Sequence, residues 1–252
     1  MALTTDALTP GATGVAAERR VLLDLSSHQV VLDLRAVEAS IEVGPPATRW
    51  SRYGKRVFDA VVASLLIIAT APLLLTIVIA VRLGSWGPAI YAHDRVGRHG
   101  TPFKCLKFRT MVADADAVLA SVLAADPALR DEFETTCKLR DDPRITRVGR
   151  VLRRTSLDEL PQLWNVLRGD MSLVGPRPLL LAEPTAYADE LGVVLSVRPG
   201  MTGPWQVGGR NDVTYRERIA LQASYRDHCT FRGDVVMMLR TVPALLRRDG
   251  AY

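Results

Sequence analysis

Between Val57 and Val81 the chain runs for 25 residues as VFDAVVASLLIIATAPLLLTIVIAV, with Asp59 its sole charge and Pro72 its sole proline. A helix that crosses a bilayer needs about 20 apolar residues for a hydrocarbon core of about 30 Å. A helix of this length would reach about 37 Å. The run starts too late and is too long for a signal peptide, and no small-residue cleavage site follows it. A buried helix of a soluble domain would also be apolar, but few soluble domains need one that is apolar all round. Two membrane arrangements fit. One is a tilted span kinked at Pro72. The other is a re-entrant hairpin whose two helical arms meet at Ala71-Pro72, where the missing donor and the ring clash of proline give a bend its cause. The hydroxyls of Ser64 or Thr70 are the expected partners of the freed backbone groups. Arg52, Lys55 and Arg56 precede the run, and Arg82, Arg95 and Arg98 follow it. A simple span biases lysine and arginine to one side, so this symmetry favours both ends on the cytoplasmic face. Asp59 is expected at headgroup level or paired with Lys55 or Arg56.

The rest of the chain is cationic. Net charge is +5 over 252 residues, and residues 1–50 contribute −2 from four Arg and six Asp or Glu, leaving +7 for the remainder. A cationic body invites anions: nucleic acid, acidic lipid, phosphate or nucleotide. Cys105, Cys137 and Cys229 are scattered and odd in number. That argues against a disulfide framework and against cysteine zinc sites, and it fits a reducing cytosolic face.

Three segments follow. Residues 1–50 are a variable leader, polar and expected to be disordered at its start. Within it Val21–Leu25 and Val30–Leu34 share Leu-Asp-Leu and could pair as a hairpin, and Gly44-Pro45-Pro46 reads as a linker. Residues 51–84 are the membrane segment, and 85–252 the cytoplasmic body. In the body, Ile90–Arg98 and Phe103–Met111 read as strands joined by a turn over Gly97–Pro102. Residues 112–136 read as helix broken by Pro127. Leu160, Leu163, Trp164, Leu167 and Met171 form one apolar helical stripe. Residues 216–248 are helical again, with Arg240, Arg247 and Arg248 beside apolar faces, as suits a helix lying in the headgroup plane. A core helix would look the same.

Ser156-Leu157-Asp158-Glu159 has capping-box spacing, which predicts Ser156 as the N-cap of a helix. As chemistry, Asp158 and Glu159 follow Arg147, Arg150, Arg153 and Arg154. A helix N-terminus with free amides attracts phosphate. A carboxylate held ionised there is a competent nucleophile toward phosphorus once a cation shields the substrate. Neighbouring helical residues point about 100° apart, so the two carboxylates are expected to play different roles. Lys107 and Arg109 alternate on an extended segment and could reach phosphate together. Arg177 is held between Pro176 and Pro178 and could present a guanidinium fork. Residues 198–212 combine glycine, Trp205 and Arg210, as a nucleotide-contacting loop would, although a surface loop has the same composition. His93, His99 and His228 show no ligand spacing, and neither GxxxxGK[ST] nor GxGxxG occurs.

Several motifs stand together: KRVFD (55–59), Pro72, KFRTM (107–111), DPRIT (142–146), LRRTSLDELPQLWNVLRGDMSLVGPRP (152–178), RPGMTGPWQVGGR (198–210) and GAY (250–252). Over residues 51–252 the chain resembles the bacterial sugar transferases, the polyprenyl-phosphate hexose-1-phosphate transferases also called monotopic phosphoglycosyl transferases. Residues 1–50 lie outside the resemblance. It implies a membrane helix that re-enters at Pro72. It implies that Asp158 and Glu159 are a catalytic dyad, in which Asp158 attacks the β-phosphate of a UDP-sugar, releases UMP and holds a covalent phosphosugar. A polyprenyl (undecaprenyl) phosphate then takes the sugar phosphate. The implied metal is Mg²⁺, close to Asp158. Lys107, Arg153, Arg177 and Arg210 match family positions for phosphate or nucleotide. Arg109 and Arg154, their basic neighbours, join them as expected substrate-binding residues. Gln222 stands where family members commonly have Asp, and Cys229-Thr230 where they commonly have Trp-Ser; these departures bear on the C-terminal edge of the site.

The expected fold is therefore α+β and mostly helical. It comprises a re-entrant membrane helix hairpin and a cytoplasmic catalytic body with interfacial amphipathic helices. The expected protein is a phosphotransferase of the bacterial inner membrane that primes exopolysaccharide synthesis. Its expected partners are a UDP-sugar, a polyprenyl phosphate lipid and the membrane, with no nucleic acid and with a homo-oligomer left open. An inactive membrane scaffold for polysaccharide assembly is the alternative. A membrane-tethered nucleic-acid binder would use the basic body but lacks a recognisable binding motif.

Overall fold

In the computed structural model one helix, α1 (Lys55–Gly84), takes in the whole apolar run. The structure describes residues 20–25, 28–33, 50, 54–136, 139–181, 190–208 and 214–246. Arg210, Arg247, Arg248, the terminal GAY, the Gly44–Pro46 linker and the polar start of the leader lie outside them. Pro72 sits inside α1 rather than ending it. Proline removes one ladder bond and crowds one turn, and the strong helix formers on either side carry the helix past that loss. Thr70 Oγ1 donates to Leu66 O and Ser64 Oγ to Ala60 O, one turn back, not to the Ile68 carbonyl that Pro72 leaves without its donor.

The buried positions of α1 fall toward its two ends, and its middle is bare. Ala63 and Asp59 are buried near the start, and Ile77 and Val81 near the end. Leu65, Ile68, Leu73 and Leu75 are exposed. By length and composition α1 is apolar enough to cross a membrane. Phe58, Val62, Ala63 and Ile67 pack with Leu163, Val166 and Met171. Leu74, Ile77, Val78 and Val81 pack with Phe108, Leu152 and Leu157. Leu160 packs against both clusters.

Polar contacts fix the first turns. Lys55 Nζ lies 2.9 Å from Asp234 and 3.7 Å from Asp59. Asp59 accepts the Ser172 hydroxyl at 2.7 Å and the Leu173 N–H at 3.3 Å. Trp50 Nε1 and Tyr225 OH also donate to Asp234. Asp59 thus pairs with Lys55, while Arg56 donates at 2.6 Å to both Val166 O and Leu167 O. Those carbonyls belong to the last turn of a later helix, where end carbonyls lack partners of their own.

The remaining elements are short. Strands β1 (Arg20–Leu25) and β2 (His28–Asp33) pair antiparallel from Arg20↔Asp33 to Leu25↔His28, forming the hairpin that the shared Leu-Asp-Leu suggested. Strands β3 (Ile90–Val96) and β4 (Pro102–Phe108) form the expected second hairpin, in register from Ile90↔Phe108 to Val96↔Pro102. Helices α2 (Ala115–Ala125) and α3 (Pro127–Thr136) part at Pro127 as expected. Helix α4 (Arg147–Thr155) leads to a 3-10 turn (Leu157–Glu159), then α5 (Gln162–Arg168). Strand β5 (Ser172–Val174), helix α6 (Leu191–Leu195) and strand β6 (Gly200–Thr202) follow, with β5 and β6 parallel. Helices α7 (Pro204–Gly208), α8 (Tyr215–His228) and α9 (Phe231–Leu246) complete the described body. The fold is α+β and mostly helical.

One local expectation fails. Ser156 makes no side-chain cap bond; it ends α4 in the left-handed region at φ 55. Its N–H turns back onto the carbonyls of Leu152 and Arg153. A serine serving as the C-terminal stop of one helix cannot also present the extended backbone that an N-cap requires. Of the apolar stripe only Leu163, Trp164 and Leu167 therefore lie in the short α5; Leu160 closes the 3-10 turn, and Met171 lies beyond Gly169 (φ 94), which terminates the helix.

Candidate active site

Helix α4 reaches its place by close approach to the end of β4. Thr146 caps it by accepting the Gly149 N–H at 2.9 Å. Gly149 lies so close to the Thr110 carbonyl that a Cβ there would collide with it. Arg153 Nε donates to Thr110 Oγ1 at 2.9 Å. The chain then reverses at Ser156, and Leu157 and Leu160 root the 3-10 turn against α1. Asp158 and Glu159 are carried between those two leucines.

Both carboxylates face Lys107 from β4. Lys107 Nζ is 2.7 Å from Glu159 Oε1 and 3.9 Å from Asp158 Oδ2. Asp158 is 8% exposed. Burial pushes its carboxyl up to about 6, Lys107 and Arg153 pull it down, and Glu159 pushes it up again. The sequence suggested a carboxylate held firmly ionised by a helix N-terminus. Instead it sits on a short 3-10 turn, where desolvation outweighs the nearby cations. The two acids also differ in access: Glu159 lines a cleft of about 80 Å³, whereas the more buried Asp158 is not among its lining residues.

The cleft wall is cationic. Arg95, Lys107 and Arg177 line it with Cys105, Gln162 and Trp205. The Arg177 N–H donates to Gln222 Oε1 at 2.8 Å, and its guanidinium lies 5.3 Å from the Trp205 ring. Arg218 covers Trp205 at 4.1 Å. Two guanidiniums thus lie over the Trp205 ring, at cation–π distance. Arg95 is buried and donates to Pro178 O at 3.3 Å and to His93 Nδ1 at 3.2 Å. Burial, then Arg95 and Lys107, lower the His93 ring to about 4. It is neutral and suited to accept from Arg95.

Lys107, Arg153, Arg177 and the dyad therefore come together. Arg109 does not join them. Its Nη2 donates to Ser85 O at 2.7 Å and Ser85 Oγ at 2.9 Å, tying the end of α1 to the hairpin. Arg154 is exposed on the outer side of α4. The cleft roles of Arg95, read from the sequence only as a cation flanking the apolar run, and of His93, and the acceptor role of Gln222, were not read from the sequence. A signal for the first two existed: residues 93 and 95 alternate on β3 and lie opposite Cys105 and Phe103, two and four positions before Lys107. The Gln222 departure falls behind the cleft wall, on the backbone of Arg177. The Cys229 departure is buried beside Tyr225 OH at 3.5 Å, and Thr230 Oγ1 accepts the Gly233 N–H at 3.1 Å.

Among the described residues, no group of three or more His, Cys, Asp and Glu gathers as a metal cage. Asp158 and Glu159 nonetheless turn carboxylate oxygens toward one point, now held by Lys107 Nζ. That donor set suits Mg²⁺, which binds through one or two carboxylates and completes its shell with substrate phosphates and water.

A family model described as bacterial sugar transferase matches residues 50–248. The chain belongs to the bacterial sugar transferases. It is 50% identical over 206 residues to an undecaprenyl-phosphate galactose phosphotransferase of Salmonella typhimurium, covering 82% of this chain and 43% of that relative. It is 46% identical over 198 residues to the exopolysaccharide production protein ExoY of Sinorhizobium fredii, covering 79% and 88%. It is 41% identical over 237 residues to a UDP-glucose:undecaprenyl-phosphate glucose-1-phosphate transferase of Caulobacter vibrioides, covering 90% and 83%. The chain spans less than half the length of the Salmonella sugar transferase and of a similar one from Erwinia amylovora. The family match begins at Trp50, so the β1–β2 hairpin lies outside it.

Proposed function

We propose that this chain is a membrane-associated transferase that moves a sugar-1-phosphate from a UDP-sugar to a polyprenyl phosphate. The observation that carries the reading is the Asp158-Glu159 pair gathered at Lys107, beside a cleft walled by Arg95 and Arg177 and rooted on an apolar helix. The family relatives named for undecaprenyl-phosphate transfer support it.

In the first step a carboxylate oxygen of Asp158 attacks the β-phosphorus. The bond from that phosphorus to the bridging oxygen breaks, and UMP leaves with the oxygen and its electron pair. An acyl phosphate carrying the sugar remains on Asp158. In the second step a phosphate oxygen of the lipid attacks the same phosphorus, the Asp158 carboxylate leaves, and a diphosphate-linked lipid results. Neither step needs a proton. Lys107, Arg177 and Arg95 offset the diphosphate charge in a partly desolvated cleft, where such charges act strongly. Glu159 holds Lys107 in place. Asp158 and Glu159 would hold Mg²⁺, which supplies further charge neutralisation at phosphate. UMP departs before the lipid phosphate arrives, so the two anions never share the site.

We also read α1 as membrane-embedded with both ends on one face, the cytoplasmic side of the bacterial inner membrane. Lys55 near its start and Ser85 at its end both contact the same body, which a simple span cannot achieve. Cysteines placed at both ends should label from the same side only; labelling from opposite sides would remove this reading.

The activity test is incubation of purified protein with UDP-sugars, Mg²⁺ and polyprenyl phosphate. Wild type should release UMP, and Asp158→Asn should not. Intact-mass spectrometry after donor alone should find a phosphohexose on wild type. No UMP from any UDP-sugar would favour the scaffold.

A further inference from the structure

The arginines of α4 divide between two faces. Arg153 turns toward the catalytic turn and bonds Thr110. Arg147, Arg150 and Arg154 are exposed, with Val151 at 59% exposure among them. At 3.6 residues per turn these four fall within an arc of about 100°. Gly149 and Leu152, on the opposite side, are buried against Thr110 and the end of α1. None of the three arginines has an ion pair or a side-chain hydrogen bond among the described residues, and none lines the cleft. Three unpaired cations on one stripe exceed what the fold and the chemistry use.

The stripe adjoins the end of the apolar helix. Val148, beside it on α4, faces Gly84 closely enough that a Cβ placed there would meet it at ordinary contact distance. Arg82, in the last turn of α1, is also exposed. Leu83 is 84% exposed and Trp86 91%. Cations interleaved with exposed apolar and indole side chains at the end of a lipid-exposed helix match the chemistry of headgroup depth.

We propose that Arg147, Arg150 and Arg154 form a docking stripe for acidic phospholipid headgroups, which holds the catalytic turn against an anionic membrane surface. This rests on the reading of α1 as membrane-embedded. Charge complementarity selects the occupant: guanidiniums with no protein partner meet a layer of phosphodiesters, and exposed Val151 enters the boundary beneath them. Helix α4 leads directly into Asp158, so headgroups bound there set the height of the carboxylate above the hydrocarbon.

The test offers the full-length protein, diluted from detergent, a mixture of phosphatidylcholine vesicles and the same vesicles doped with phosphatidylglycerol. Separated vesicles are then assayed for protein. Each surface cation contributes roughly a fivefold preference for the acidic surface. Wild type should favour the acidic vesicles, and high salt should erase the preference. The triple change Arg147→Gln, Arg150→Gln and Arg154→Gln should lower the ratio by about a hundredfold while leaving binding to neutral vesicles and the unfolding temperature unchanged. The matching triple lysine variant should keep the preference. Equal ratios for wild type and the glutamine triple would overturn the stripe and leave the embedded helix standing. Protein on neither vesicle would remove the embedded helix and the stripe with it. An unchanged ratio with a raised KM for polyprenyl phosphate would assign these arginines to the acceptor instead.

Discussion

Replacing Asp158 by Asn should make the protein more stable while it destroys the activity. An ordinary aspartate titrates at about 3.9, and burial raises Asp158 to about 6. That gap is worth about 3 kcal/mol at neutral pH. The sign follows from proton binding. A carboxyl with a raised native pKa holds its proton more tightly when folded, so it favours the native state fully below about pH 4 and loses that contribution as pH rises through about 6. At pH 8 the buried carboxylate is a cost to the folded state, and an amide of the same shape removes it. The amide must itself be buried without a full set of partners, which returns about 1 kcal/mol. The expected net gain is about 2 kcal/mol, or roughly 4–8 °C in Tm for a chain of this size. Thermal unfolding of both proteins in detergent, from pH 4 to pH 8, measures it. The gain should be full at pH 8 and nearly absent at pH 4. An Asn variant no more stable than wild type at pH 8, or one whose advantage is the same at pH 4, would refute the idea that desolvation dominates this carboxyl.

Lys107→Gln removes the nearest cation lowering Asp158, so the acid limb of UMP release against pH should move above about 6; an unmoved limb would break the link between the two residues. Gln222→Leu orphans the Arg177 N–H and should raise the donor KM about tenfold with kcat little changed. Gln222→Glu restores an acceptor and should recover much of that loss, and a fall in kcat alone would exclude a binding role. Asn165→Leu should cost about 2–4 kcal/mol in chemical unfolding, because Asn165 is fully buried and serves both Leu106 N and Lys104 O on β4. A cost below about 1 kcal/mol would mean that β4 finds other partners.

Local pattern made much of this protein legible. The apolar run, the hairpin after it, the break at Pro127 and the helical character of residues 216–248 follow from periodicity and from proline and glycine positions, which act within a few residues; the break at Cys229-Thr230 that parts α8 from α9 was not read. The dyad and its cations could be named from motif. Ser156 shows where local pattern misleads: S-L-D-E has the spacing of a helix start, yet the preceding helix claims the serine as its stop. Arg109 and Lys107 alternate as if to act together, yet β4 ends between them and Arg109 goes to Ser85.

The sequence by itself determined which segment prefers lipid, where most helices and strands form, and which acids and bases are available for phosphate chemistry. Only the tertiary structure decided that Asp158 is more secluded than Glu159, that Lys107 binds both, that Arg95 and Gln222 support the cleft wall, and that three arginines of α4 face outward. Propensity and periodicity are set by neighbours along the chain. Desolvation and charge pairing depend on what the fold brings within a few ångströms, and for residues as far apart as Arg177 and Gln222 only packing sets that distance.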